Sequence, residues 1–154
     1  MQFLPSLQRL RCAALIAISG GAVAQAMTLW GGQLARFLPP LPVLMSAAVA
    51  GAGLAGVLLA DAFGRRGCRG AIWSAVAWPV VTGLGGMAGA SVLALDPARG
   101  PASMLANALK EGAPLGFWAV ADGIATSPTV LVIWLVAGVA VHHGARVERA
   151  PLVT

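Results

Sequence analysis

Charge is what this sequence has least of. Only 10% of its 154 residues are Asp, Glu, Lys or Arg and 58% are hydrophobic, against roughly 25% charged in an ordinary soluble domain. With a mean hydropathy of +0.84, a single soluble core cannot hide the apolar surface. Reactive side chains are equally sparse: two histidines and two cysteines. No HExxH, Walker A loop, G-x-S-x-G or Cys/His cluster with metal spacing occurs, and no apolar run holds two carboxylates. The expectation is a chain that is not an enzyme and carries no metal or cofactor.

Cys12 and Cys68 form no C-x-x-C pair and each lies beside an arginine cluster. On a cytoplasmic side such thiols stay reduced, so both read as small buried or interfacial residues rather than a disulfide. Lysine is nearly missing as well: nine of the ten basic residues are Arg, and only Lys110 is Lys. With the alanine and glycine content this points to a GC-rich bacterial genome.

What is present is four long apolar runs, at about 12–30, 41–60, 71–95 and 124–143. Each approaches the ~20 residues that cross a ~30 Å hydrocarbon layer at about 1.5 Å per residue. None alternates as a barrel strand would. The fold class expected is all-α integral membrane: one polytopic domain over 1–154, about four transmembrane helices in a small bundle.

The basic residues sit in the links. Arg9 and Arg11 precede the first run, Arg65, Arg66 and Arg69 fill the short second link, and Arg146 and Arg149 follow the last. Arg36, Arg99 and Lys110 fall on the other side. By the positive-inside rule both termini are cytoplasmic, in a bacterial inner membrane. The net charge of +5 is therefore a topology signal rather than a nucleic-acid surface, and Arg65, Arg66 and Arg69 are expected to meet anionic lipid headgroups. The first run also resembles a secretory signal, with Ala24-Gln25-Ala26 as an A-x-A site. Its apolar character continues through Met27, Leu29 and Trp30, which favours a retained helix. Cleavage would leave three helices and a periplasmic N-terminus.

Proline and glycine punctuate the outer side. Phe37 to Pro42, "FLPPLP", is an extended link into the second helix. Between the third and fourth runs, 101–111 and 114–123 read as short amphipathic interfacial helices. The second has Phe117, Trp118, Ala121 and Ile124 on one face and Asp122 off it; Ser127-Pro128 then forms an N-cap and first-turn proline. The alternative is one kinked helix from Leu115, which would bury Asp122 in the membrane as a transport or proton site. Beginning the last helix at Ile124 leaves Asp122 just outside.

His142 and His143 then mark the cytoplasmic end of that helix. Neighbours about 100° apart cannot grip one metal, so they are weak ligand candidates, and a haem would need a second copy of the chain. The clearest pattern is small residues on one face: Ala48, Ala52, Gly56 and Ala60 in the second run, Gly85 and Gly89 in the third, and Ala13, Ala17 and Gly21 in the first. Without hydrophobic drive in lipid, such faces associate through close backbone approach. They are expected to contact other transmembrane helices, within the bundle or in a larger complex. The function expected is a small non-catalytic accessory or assembly subunit. A homo-oligomeric channel or transporter component is the alternative, and a membrane redox or haem protein comes third.

Overall fold

The structure, a computed structural model, describes residues 7–31, 40–93, 106, 110–111 and 113–148. Among these, α1 spans Leu7–Trp30, α2 Leu41–Leu59, α3 Gly67–Leu93, α4 Ala113–Thr126 and α5 Pro128–Glu148, with a 3-10 turn at Ala60–Ala62. Four stretches, Leu7–Trp30, Leu41–Ala62, Gly67–Ser91 and Pro128–Val147, are long and apolar enough to cross a membrane.

Local chemistry sets the ends. The Pro40 carbonyl accepts the Val43 and Leu44 amides at 3.0 and 3.1 Å, and Pro42, which has no N–H to lose, occupies the first turn of α2. α1 and α3 begin at Leu7 and Gly67, earlier than the apolar runs suggest, because arginine is a good helix former. α3 also continues through Pro79. Of the Phe37–Pro42 link, positions 37–39 lie outside the described residues, as does most of the 101–111 helix.

Consecutive helices pair, α1 with α2, α2 with α3 and α3 with α4, while α5 returns to lie along α1 and touches α3 over a short stretch. The α1–α2–α3 contact is glycine-controlled. A Cβ at Gly20 would lie 2.5 Å from the Ala52 Cβ, one at Gly56 3.0 Å from the Ala13 Cα, and one at Gly51 2.3 Å from the Gly85 carbonyl oxygen. Backbones this close exchange dispersion over many atoms, which is what holds helices together where lipid is as apolar as the protein. Two buried clusters result. One joins Cys12, Ile16, Ala52, Phe63, Trp78, Val81, Val141 and Ala145; the other joins Val23, Ala26, Met27 and Val130.

α4 and α5 meet end to end at Ser127. The Ser127 amide reaches the Gly123 carbonyl at 3.3 Å and the Leu131 amide the Ser127 carbonyl at 3.0 Å, while Pro128 has no donor to carry the ladder across. Ser127 Oγ caps the second part by accepting the Val130 amide at 3.4 Å. The bend is sharp. Phe117 rests on Gly83 while the Trp134 indole bonds to Thr82, adjacent positions on α3, whereas seventeen residues of straight helix would separate them by about 25 Å.

The buried face of α4 is Ala113, Gly116 and Gly123, with Gly116 on Gly86 and Gly123 on Met27. Trp118 points outward, 63% exposed, while Phe117 lies over Gly83 of α3. Glycine occupies the inner face because a Cβ at Gly116 would stand 2.0 Å from the Gly86 carbonyl oxygen.

Candidate functional site

The pole where α1 begins, α2 ends, α3 begins and α5 ends holds most of the polar chemistry. Arg9 forms an ion pair with Asp61, its Nε donating to Oδ1 at 3.3 Å. Arg65 Nε donates to the Asp61 carbonyl at 2.9 Å. The turn between α2 and α3 is folded into the bundle rather than merely crossing it. Phe63 is fully buried and meets Trp78 edge-on, with centroids 6.4 Å apart at 87°. Gly64, with φ +73°, fits against the Ala145–Arg146 backbone, where a Cβ would be 2.5 Å from the Ala145 carbonyl. Only a residue without Cβ takes both that backbone conformation and that space.

Above this turn, α3 and α5 meet through hydrogen-bonding side chains. Ser74 Oγ lies 2.7 Å from His142 Nδ1 and 3.1 Å from the Ala62 carbonyl. A hydroxyl has one proton, and only that proton can satisfy the carbonyl, so His142 donates through Nδ1–H and Ser74 accepts. One level further, Trp78 Nε1 donates to the Trp134 carbonyl at 2.9 Å, Trp134 Nε1 donates to Thr82 Oγ1 at 3.0 Å, and Thr82 Oγ1 donates to the Trp78 carbonyl at 2.8 Å. The circuit closes on itself. The two indoles, tilted at 34° with centroids 6.2 Å apart, fill the space between the helices.

Chemically this seam anchors. Ser74 is buried and its proton faces a carbonyl, so it lacks the Oγ–H to imidazole bond that would make it a nucleophile. Among the described residues no buried side-chain polar atom lacks a partner. Removing one side of the Ser74–His142 bond therefore has a readable cost. Ser74→Ala and His142→Ala should each lower stability by about 1 kcal/mol. His142→Asn, whose amide nitrogen reproduces Nδ1, should restore most of it, and His143→Ala should change less than about 0.5 kcal/mol. Equal losses for His142→Asn and His142→Ala, in SDS unfolding from mixed micelles, would discard the donor assignment.

The residues singled out from sequence fall as follows. His142 and His143 do not end α5: the helix runs to Glu148, because twenty-one residues from Pro128 already give ~30 Å without a start at Ile124. Their rings stand 6.1 Å apart at 81°, and no group of three metal-ligating side chains occurs among the described residues. Asp122 is half-buried on α4, its carbonyl accepting the Thr126 hydroxyl at 2.6 Å. Arg65, Arg66 and Arg69 are exposed. The small-residue strip turns inward: Ala48 and Ala52 lie against Gly20, Ala52 also meets Gly85, Gly89 meets Ala47, Gly56 meets Ala13 and Ile16, and Ala60 accepts the Cys12 thiol at 3.8 Å.

The chain matches no protein-family model, no curated protein and no solved structure.

Sequence reasoning missed the Trp78–Thr82–Trp134 circuit. Tryptophan spaced four residues before threonine was the available signal on α3, but nothing in sequence pairs either with a residue on α5.

Proposed function

We propose that this chain is a non-catalytic integral membrane protein, an accessory or assembly subunit that packs beside a larger membrane complex of a bacterial inner membrane, with both termini cytoplasmic. The observation that carries the reading is how the polar and small residues are spent. The serine, threonine, tryptophan and histidine side chains of the α3–α5 seam bond to one another or to backbone, and the glycine faces meet inside the bundle. Substrate chemistry has no polar group left to it along that seam.

The exterior is different. Ile72, Trp73, Val76, Val80 and Leu84 on α3, Val132, Leu135, Val136 and Val139 on α5, and Leu54 and Leu58 on α2 are all exposed. Such a surface engages lipid tails or another apolar helix and little else. A subunit of this kind contributes shape.

The test is purification of the whole chain from native membranes in mild detergent, through a tag after Thr154, with intact mass and identification of what accompanies it. A stoichiometric larger partner is expected, together with a mass that includes residues 1–26, since Ile16 belongs to one buried cluster and Val23 and Ala26 to the other. A homogeneous particle of this chain alone would reject the subunit reading. The docking variants must sit outside: Val136→Trp or Leu58→Trp should weaken association while leaving the bundle folded, whereas Gly56→Leu or Gly85→Leu breaks the bundle itself.

A further inference from the structure

Among the described residues, positive charge concentrates at the helix ends of the Arg9–Asp61 pole. Arg9, Arg11, Arg65, Arg66, Arg69 and Arg146 stand there against Asp61 and Glu148, six positive and two negative, whereas Lys110 is outnumbered by Glu111 and Asp122. We infer that the turn between α2 and α3 is a binding site for anionic phospholipid headgroups, formed by Arg65, Arg66 and Arg69. The inference stands apart from the subunit reading, since it requires a bilayer but no partner protein.

Three features make the turn more than a cytoplasmic link with positive charge. It is fixed: Phe63 is buried beneath it, Gly64 is seated on α5, and the Ala62 carbonyl is held by Ser74, so its arginines extend from a platform rather than a loose tether. Its one carboxylate, Asp61, is paired with Arg9 of α1 and does not face an incoming phosphate uncompensated. Arg65, oriented through Nε on the Asp61 carbonyl, retains its terminal nitrogens for a ligand, and Arg66 and Arg69 are exposed beside it. Planar guanidinium groups match phosphate oxygens two at a time. One turn past Arg69, Trp73 is 50% exposed, placed to lie against the glycerol and upper acyl region of the same lipid.

The experiment uses the full chain in vesicles of equimolar phosphatidylglycerol and phosphatidylcholine, released for native mass spectrometry and, in parallel, read by tryptophan quenching with brominated phosphatidylglycerol. Wild type should retain phosphatidylglycerol over phosphatidylcholine. R65Q/R66Q/R69Q should lose that preference by roughly fivefold per arginine, and K110Q at the other pole should keep it. R66Q/R69Q, which removes no hydrogen bond drawn above, covers the case in which loss of Arg65 loosens the turn. The site is overturned by equal retention of the two lipids in wild type, by unchanged preference in R66Q/R69Q, or by displacement of the lipid with inorganic phosphate, which would make it a soluble-anion site.

Discussion

Gly51→Ala should destabilise the bundle by about 3 kcal/mol, and Gly53→Ala, two residues further along the same helix, should leave it unchanged or slightly more stable. The two glycines face different surroundings. At Gly51 a Cβ would stand 2.3 Å from the Gly85 carbonyl oxygen and 2.8 Å from the Gly89 amide nitrogen, both backbone atoms of α3. No side chain can rotate away, so α2 and α3 must separate, losing contacts along their length; overpacking of this kind costs about 1–3 kcal/mol and more when backbone must move. At Gly53 the added methyl would sit 3.6 Å from the Ala17 Cβ, an ordinary contact, and alanine is the better helix former by roughly 0.5–1 kcal/mol. SDS unfolding of each variant in mixed micelles measures the difference. Similar midpoints for the two would mean that α2 and α3 are not held at backbone distance.

The same contrast shows what sequence could reveal. The long apolar helices were legible because twenty apolar residues have few other uses, and the small-residue periodicity of α2 and α3 drew attention to glycines and alanines that lie where backbones approach. It could not say against what. Ala48, Ala52 and Gly56 fit α1 on one side while Gly51 and Ala52 fit α3 on the other, a division that depends on rotation about the helix axis. α3 likewise has two glycine faces, Gly85 and Gly89 toward α2 and Gly83 and Gly86 toward α4. Only the first has the i, i+4 spacing that draws attention. The Ser127-Pro128 junction was readable as a cap; the sharpness of its bend was not, because it is set by Gly116 meeting Gly86 far from the proline. At the charged pole the arginines were plain, but Phe63 as the plug beneath them depends on Trp78, fifteen residues away.

The second large effect should come from Trp78, whose replacement tests the seam between α3 and α5. Trp78→Ala should cost about 3–5 kcal/mol, because the indole is buried, packs against Trp134 and, edge-on, against Phe63, and fits a notch at Gly138. Trp78→Phe keeps a ring but removes the Nε1 bond to the Trp134 carbonyl. That carbonyl still has its helical partner, so the loss should stay near 0.6 kcal/mol, the average for an interhelical hydrogen bond in a membrane protein. The notch supplies an independent check. A Cβ at Gly138 would lie 2.7 Å from the Trp78 Cδ1, so Gly138→Ala should cost roughly 1–3 kcal/mol in wild type and much less when combined with Trp78→Phe, whose smaller ring can recede. Strictly additive costs would mean that the indole does not occupy the Gly138 notch. A Trp78→Ala variant as stable as Trp78→Phe would mean that ring packing, rather than the hydrogen-bond circuit, contributes nothing to holding α5 against α3.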